Sequence, residues 1–216
     1  MSAKAATKRV RSPAAARLPD NADGSPRAAI SDRCTANNSH NAAQMFSREG
    51  LATNTNRIAQ RAGLSVGTLY QYFPNKQAML YSLAERHLLE GGVRLGEVFN
   101  RLRAQQPPFE EAMRTILDVV VDLHADMPAV HAMMHRLVLR HAEELEAVRA
   151  FEKYLVEELA FHLERWGRGG ENPTRTARTV VHTVDAQVHR VHLWYPVTTD
   201  SLLALVRTLA PLSSAN

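Results

Sequence analysis

The spacing of apolar residues constrains the fold of this chain more than any other feature of its sequence. After about residue 30, apolar side chains recur at three- and four-residue intervals almost to the end, and no stretch alternates between apolar and polar residues. Because this periodicity matches the turn of an α-helix, the sequence predicts an all-α body. With 216 residues, the chain can bury one sizeable core or two small ones.

Residues that cap or break helices divide this body into about nine helices. Asn75 can cap a helix that begins at Lys76, and Pro107-Pro108 interrupt the chain ahead of Glu110 and Glu111, which suit the positive end of a new helix. The other expected boundaries are Asp126 to Pro128, Gly167 to Gly170, Asn172-Pro173, Pro196, and Thr199 or Asp200.

The segment from Thr53 to Phe73 carries the pattern of a helix-turn-helix. Ile58 and Ala59 give its first helix an apolar face, and Gly63 supplies the positive φ that a tight turn needs. Ser65 can cap the second helix, which would pack inward through Leu69, Tyr72 and Phe73. The outer face of that helix would then present Val66, Gly67, Thr68 and Gln71.

A helix with short side chains on its outer face can enter the major groove of DNA and contact base edges. Gly67 would let the backbone approach the bases closely. Four neighbouring residues are placed to hold phosphates, which fix register without reading sequence: Thr53, Thr55, Tyr70 and Lys76. The alternative is an ordinary helical hairpin with a glycine turn, which would not need this whole set of spacings.

These residues resemble the DNA-binding domain of the tetracycline-repressor (TetR) family of bacterial regulators. The resemblance covers about residues 40–85 and rests on Ala42-Ala43-Gln44-Met45-Phe46, Gly50, Ile58-Ala59, Ala62-Gly63-Leu64-Ser65, Gly67-Thr68-Leu69-Tyr70, Tyr72-Phe73, Asn75-Lys76 and Leu80. It implies that Ser65 through Gln71 form the recognition helix and that Tyr70 and Lys76 contact phosphates. It also implies a homodimeric transcription regulator, a repressor released from a palindromic DNA operator by a small effector.

The first residues are rich in Ala, Pro, Ser, Arg and Asp and lack helical periodicity, and this composition, together with the resemblance, predicts three parts of the chain. Residues 1–33 are expected to be a disordered tail, residues 34–80 the helix-turn-helix domain, and residues 81–212 a helical domain for ligand binding and dimerisation. One region departs from the family pattern, because Asn38 and Ser39 stand where the first helix normally has an aliphatic pair. Each lost aliphatic would forgo roughly 1.5–3 kcal/mol of burial. Three explanations of this departure stay open. The first helix begins late, near His40; the domain is loosely packed; or the upstream sequence is altered.

Charge and cysteine content bear on partners and compartment. Residues 1–33 hold seven basic and three acidic side chains, and this surplus of +4 equals the net charge of the whole chain. This tail is either a polyanion contact or a solvated leader. The sequence has one cysteine, Cys34, and shows neither an apolar run of membrane-spanning length nor a secretion signal. These features predict a cytoplasmic protein without membrane contact.

The carboxy-terminal helices are expected to supply the dimer interface. Two apolar stripes could pair with a second subunit in a four-helix bundle, or could face the chain's own core: Val180, Val184, Val188 and Val191, and Leu202, Leu205, Val206 and Leu209. Between the two functional ends, eleven residues are expected either to line a pocket for a small hydrophobic effector or to form plain core: Met113, Ile116, Leu117, Val120, Met133, Met134, Leu137, Phe151, Tyr154, Leu155 and Trp166.

Histidines are frequent beyond residue 80. His131 and His135 are one turn apart, and His182, His189 and His192 share a helix face. Since no acidic or thiolate partners are arranged beside them in the sequence, surface or interface histidines explain them better than a metal site does. We therefore expect no metal and no cofactor, with pH sensing at the dimer interface as a lesser option.

Two other classes of function were weighed against a regulator. The chain has no glycine-rich phosphate loop, nucleophile elbow or His-Glu-x-x-His zinc motif, so we do not expect an enzyme. A nonspecific architectural DNA-binding protein would use the basic tail but would not need so large a second domain. Substrate turnover would identify an enzyme, and selective binding of one DNA sequence would exclude the architectural role.

Overall fold

The computed structural model describes residues 43–138 and 142–212. Within these residues the chain forms nine α-helices and no strand, with one isolated bridge between Arg168 and Leu212. None of the described helices combines the length and the hydropathy needed to cross a membrane. The predicted all-α fold is confirmed, while the basic tail and the polar run from Thr35 to Asn41 lie outside the described residues.

The helices follow one another with short connections. The first seven are α1 (43–49), α2 (Thr55–Arg61), α3 (Val66–Tyr72), α4 (Lys76–Gln105), α5 (Phe109–Ala125), α6 (Pro128–Val138) and α7 (Ala142–Arg165). The last two are α8 (Pro173–His189) and α9 (Thr199–Leu209), and 3₁₀ turns occupy Gly50–Ala52 and Val191–Leu193.

Side-chain caps fix where most of these helices begin. The side chains of Ser65, Asn75 and Asn172 accept hydrogen bonds from backbone amides three residues later, at 3.0, 2.8 and 2.9 Å. These three predicted caps are confirmed. The predicted cap of α9 is wrong by one residue, because Thr198 caps this helix and forms a reciprocal capping box with Ser201.

The helices pack around two apolar cores. The amino-terminal core combines α1 to α4 with one side of α6, and its buried residues are Ala43, Met45, Phe46, Ile58, Ala59, Leu69, Phe73, Met79, Leu80, Leu83, Val130 and Met134. The carboxy-terminal core is built from the rest of α4 with α5, α7, α8 and α9. Helix α6 follows α5 in the chain, yet Val130 and Met134 make it part of the amino-terminal core.

Helix α4 passes through both cores without interruption. Leu80 and Leu83 are buried in the amino-terminal core, and Leu95 and Phe99 are buried in the carboxy-terminal core. At 1.5 Å per residue, its 30 residues span about 45 Å. The domain boundary that the sequence suggests, between residues 80 and 81, therefore falls inside this helix.

A buried ion pair anchors the far end of α4 to α7. The Arg103 guanidinium donates to both carboxylate oxygens of Glu158, at 2.9 and 3.0 Å, and Glu158 is only 4% exposed. The fork-shaped arrangement strengthens the pair and fixes its geometry. Removing Arg103 would leave the Glu158 carboxylate buried without its partner.

The two apolar stripes predicted for dimerisation mostly face the chain's own core. Five of their members are buried in the carboxy-terminal core: Val180, Val184, Val188, Leu202 and Val206. Val191 and Leu209 are partly buried against the same core. For these five side chains the second alternative holds, because they are covered by their own subunit. Dimerisation through other faces of α8 and α9 stays a prediction.

His162 is a histidine with an unusual environment in this core. Its side chain is fully buried, its ring stacks on Phe99 and Trp166, and neither ring nitrogen has a hydrogen-bond partner among the described residues. Burial, together with the nearby charges of Arg165 and Arg103, lowers its pKa to about 4.

We predict that His162→Phe stabilises the protein. An aromatic ring without polar atoms keeps the packing and removes two unsatisfied nitrogens, a gain on the order of 1 kcal/mol. Because the pKa of His162 is lower in the folded than in the unfolded chain, its destabilising effect grows as pH falls from about 6.5 towards 4. In urea unfolding, the advantage of His162→Phe should be larger at pH 5 than at pH 8, whereas His182→Phe, at an exposed position beside Glu152, should gain no stability at pH 5. An advantage independent of pH would contradict the prediction.

Candidate nucleic-acid interface

Helices α2 and α3 form a pair joined by a tight turn. Gly63 lies in this turn with a φ of 68°, a left-handed conformation that costs glycine little, as the sequence predicted. The amide of Leu64 donates to the carbonyl of Ala59 at 2.9 Å and closes the end of α2. Ser65 then begins α3 through its cap.

The inner faces of this pair are fully buried. Ile58, Ala59 and Leu69 have no measurable exposure, and Leu64 packs partly buried against the same core. Ala59 of α2 and Leu69 of α3 lie in the same core, which packs the two short helices together. At seven residues each, α2 and α3 are too short to be stable alone, so this burial holds them in place.

The outer face of α3 is open to solvent. Val66 is 38% exposed, Gly67 and Gln71 are exposed, and Thr68 is partly buried with its hydroxyl 2.7 Å from that of Ser65. A methyl group at Gly67 would meet only the Ser65 Oγ atom, at 3.8 Å. The fold therefore does not itself require glycine at position 67.

Tyr70 links the exposed sides of the two helices. Its hydroxyl lies 3.0 Å from the Thr55 hydroxyl, and its side chain is 45% exposed. Thr55 and Tyr70 thus place two hydroxyl groups together at the rim of the surface that α3 presents. The sequence predicted both as phosphate contacts but not their mutual hydrogen bond.

Lys76 and Thr53 meet beside this rim, but in a different way from that expected. The Lys76 ammonium donates to the Thr53 carbonyl at 3.2 Å, whereas the Thr53 side chain is buried and only 1% exposed. Its hydroxyl does not face solvent, so a direct phosphate contact by the Thr53 side chain is replaced by a role in positioning Lys76. A surface depression of about 240 Å³ adjoins them, lined by Ala52, Thr53, Asn54, Thr55 and Lys76.

Sequence reasoning missed Asn54 at this surface. Asn54 caps α2 by accepting from the Asn56 amide at 2.8 Å, and it also lines the depression. The signal was available, since an asparagine directly before a helix is a preferred cap. Arg57 is also exposed on α2, where it pairs with Glu49 at 2.5 Å.

The residues predicted for an effector pocket divide between the two cores. Met134 is buried in the amino-terminal core, with Met133 and Leu137 packed against it. The other eight belong to the carboxy-terminal core or its edge: Met113, Ile116, Leu117, Val120, Phe151, Tyr154, Leu155 and Trp166. None of the eleven lines the 240 Å³ depression or a second one between α7 and α8. The pocket stays a prediction.

A cluster of imidazoles lies between the two cores. It consists of His87 from α4, His124 from α5, His131 and His135 from α6, and Asp185 and His189 from α8, and is called the histidine cluster below. Sequence spacing had paired His189 with His182 and His192. Instead, His182 is exposed beside Glu152, and His192 accepts a hydrogen bond from the Val197 amide.

Burial dominates the electrostatics of the histidine cluster. Removal from water, together with the neighbouring histidines, lowers the pKa of His87 to about 2, that of His124 to about 3 and that of His131 to about 4. Burial alone would raise the pKa of Asp185, but hydrogen bonds from His135 and His189 hold it well below its usual range. The residues could hold a metal ion in two overlapping groups: His87, His124 and His189, or His135, Asp185 and His189.

Two protein-family models match this chain, one in its amino-terminal part and one in its carboxy-terminal part. A family model described as bacterial regulatory proteins, tetR family, matches residues 40–83, and one described as tetracyclin repressor-like, C-terminal domain, matches residues 108–210. No curated protein matches the chain significantly.

Solved structures share the fold at low sequence identity. The TetR family transcriptional regulator PfmR from Thermus thermophilus is 17% identical with a TM-score of 0.62, covering 80% of this chain and 96% of that chain. The fatty acid degradation regulator FadR from Bacillus halodurans is 23% identical with a TM-score of 0.59, covering 81% and 91%. Reduced NemR from E. coli is 14% identical with a TM-score of 0.60, covering 85% and 100%.

We predict that Gly67→Ala weakens DNA binding without harming the fold. The added methyl group meets no protein atom closer than 3.8 Å, and alanine favours a helix over glycine by about 1 kcal/mol. Binding should fall because the methyl group lies where a groove must approach the backbone. Fluorescence anisotropy with a DNA duplex measures the affinity, and urea unfolding measures the stability. Gln105→Ala, on an exposed turn at the far end of α4, is the matched control, and unchanged DNA affinity in Gly67→Ala would contradict the prediction.

Proposed function

Since the chain belongs to the tetracycline-repressor (TetR) family of DNA-binding transcription regulators, we propose that it is a repressor released from a palindromic operator by an effector. The observation that carries this proposal is the open outer face of α3. Its inner face is sealed into the core by Leu69, whereas Val66, Gly67 and Gln71 remain exposed. A helix held in this way can enter the major groove and present these residues to base edges.

The residues around α3 suit contacts with the DNA backbone. The Thr55 and Tyr70 hydroxyls can donate to phosphate oxygens, and the Lys76 ammonium lies at the edge of the adjoining depression. Such contacts set the position of the recognition helix on the duplex, while the exposed residues of α3 read the sequence. Together they form a surface with separate elements for positioning and for specificity.

A homodimer would give this short helix its selectivity. Two recognition helices about 34–36 Å apart can read two half-sites of a palindrome. Since the stripes of α8 and α9 are largely buried, we infer that their remaining faces and the connection between them supply the interface. That connection exposes two large aromatic side chains, Trp194 at 80% and Tyr195 at 71%. Exposed aromatic residues of this kind are typical of protein contacts.

The connection between the two cores offers a route for release by an effector. α4 begins at Lys76, beside the recognition helix, and continues into the carboxy-terminal core. α6 inserts Val130 and Met134 into the amino-terminal core. A ligand that binds one arrangement of these helices better than another shifts the spacing of the recognition helices, and such coupling is typically about 1–3 kcal/mol.

Selection of bound duplexes from a random DNA pool, with the full-length protein, tests the function. Enrichment of a palindrome with half-sites about one helical turn apart is expected from a sequence-reading dimer. Salt-sensitive binding to all duplexes without enrichment would overturn the proposal and favour an architectural role.

We predict that Lys76→Ala weakens binding to the selected operator and reduces its salt dependence. Loss of one phosphate contact in each half-site should lower the slope of log K against log salt by about one per half-site. Lys153→Ala is the matched control, because Lys153 is exposed on α7 beside Glu157 and far along the chain from α3. If Lys76→Ala leaves the slope unchanged, Lys76 does not contact a phosphate.

A further inference from the structure

We propose that the histidine cluster binds one divalent transition-metal ion of the Zn²⁺, Co²⁺ or Ni²⁺ type through the Nε2 atoms of His87, His124 and His189. The three ligands come from α4, α5 and α8, and their ligand atoms lie within 4.8 Å of one another. Sequence patterns could not indicate this site, since its ligands are far apart in the chain and have no motif spacing.

The distances fit a four-coordinate ion. The Nε2 atom of His124 lies 3.3 Å from that of His87 and 3.2 Å from that of His189. Two imidazole nitrogens bound to zinc at about 2.0–2.1 Å with tetrahedral angles stand about 3.3 Å apart. The cluster therefore already holds two ligand pairs at the separation that such an ion requires.

Hydrogen bonds on the far sides of the rings set the tautomers that a metal needs. The His124 Nδ1 atom lies 2.7 Å from the Val120 carbonyl oxygen, and a carbonyl only accepts, so Nδ1 carries the proton. The His189 Nδ1 atom likewise faces two acceptors of Asp185, the backbone carbonyl at 3.1 Å and Oδ1 at 3.0 Å. When these two rings are neutral, as metal ligands must be, each has its lone pair on Nε2.

These tautomers place two lone pairs face to face. The Nε2 atoms of His124 and His189, both acceptors, are 3.2 Å apart and cannot hydrogen-bond to each other. A proton on the His87 Nε2 atom could be donated to His124, but the His189 lone pair would still lack a donor. A bound cation would accept the Nε2 lone pairs of His124 and His189 together, and that of His87 as well when the His87 proton is on Nδ1.

Asp185 gives the site the support that zinc-binding histidines usually have. Its Oδ1 atom accepts from His189 Nδ1, and its Oδ2 atom lies 3.3 Å from His135 Nε2. A carboxylate behind a ligating histidine fixes the orientation of the ring and makes its free nitrogen more basic. Asp185 and His135 are thus positioning residues, and His189 is the ligand.

His131 packs against two of the proposed ligands and could supply a fourth. Its ring centroid is 4.4 Å from that of His87 and 5.1 Å from that of His124. Its Nδ1 atom is buried and has no hydrogen-bond partner among the described residues. A rotation of this ring, or a water molecule, would complete four ligands. Because all the donors are imidazole nitrogens, the site favours zinc, cobalt or nickel over magnesium or calcium, which prefer oxygen.

The location of the site gives the metal a regulatory role, and this part rests on the proposed function. His87 lies 11 residues beyond Lys76 in α4, about 16 Å along the helix axis. A metal bound there joins α4 to α5 and α8, beside α6, which packs into the amino-terminal core. Loading would fix the angle at which α4 carries the recognition helix, so the metal would act as an effector.

Metal binding is measured first, without DNA. The untagged, full-length Cys34→Ser protein is stripped with a chelator and titrated with Co²⁺. We expect the visible absorption of tetrahedral cobalt at one ion per chain, lost when Zn²⁺ is added. The Cys34→Ser background excludes a thiolate ligand.

Variants locate the site. His189→Gln should abolish the tetrahedral cobalt spectrum, and Asp185→Asn should weaken binding about 10- to 100-fold. His182→Gln, on the same helix but outside the cluster, should bind as the parent does. If His189→Gln does not fold, as judged by circular dichroism, His87→Gln serves in its place. The absence of one-to-one binding, or binding unaffected by these ligand substitutions, would overturn the site.

Operator binding with and without Zn²⁺ then separates the two proposals. A change of at least about 5-fold in operator affinity that disappears in His189→Gln supports metal as an effector. Stoichiometric metal binding without any change in operator affinity refutes the regulatory role and leaves the site intact. Failure to select an operator while cobalt still binds refutes the proposed function alone.

Discussion

The unbroken hydrogen-bonded backbone of α4 is the constraint on which the rest of the structure depends. One end of this helix carries Lys76 beside α3, and the other is fixed to α7 by the Arg103–Glu158 pair. A continuous helix transmits rotation and translation from one end to the other. Local burial holds α3 against the amino-terminal core, and α4 then fixes how that core sits relative to the carboxy-terminal core.

Helix α6 adds a second connection between the same two regions. One side of it supplies Val130 and Met134 to the amino-terminal core, and the other supplies His131 and His135 to the histidine cluster. A change in the cluster therefore acts on the DNA-binding end through two helices rather than one. This arrangement also explains why the predicted effector residues divide, since Met133 and Met134 of α6 pack in one core and Met113 of α5 packs in the other.

Features that depend on neighbouring residues could be predicted from the sequence. The Gly63 turn and the Ser65, Asn75 and Asn172 caps follow from local backbone chemistry, and the structure contains all of them. Features that depend on tertiary contacts could not. An apolar stripe such as Val180 to Val188 shows that a face is buried, but not which surface covers it. The histidine cluster joins residues about 100 positions apart, and only the packing of four helices brings them together.

The outer face of α3 is open to solvent, and this affects how the sequence of such a protein can change during evolution. Val66, Gly67 and Gln71 make little contact with the rest of the molecule, and a side chain added at Gly67 would meet almost nothing. Substitutions at these positions should cost little stability, and under the proposed function they would change what the surface recognises. Descendants of one ancestral gene could thus acquire new target sequences one residue at a time while every intermediate still folds.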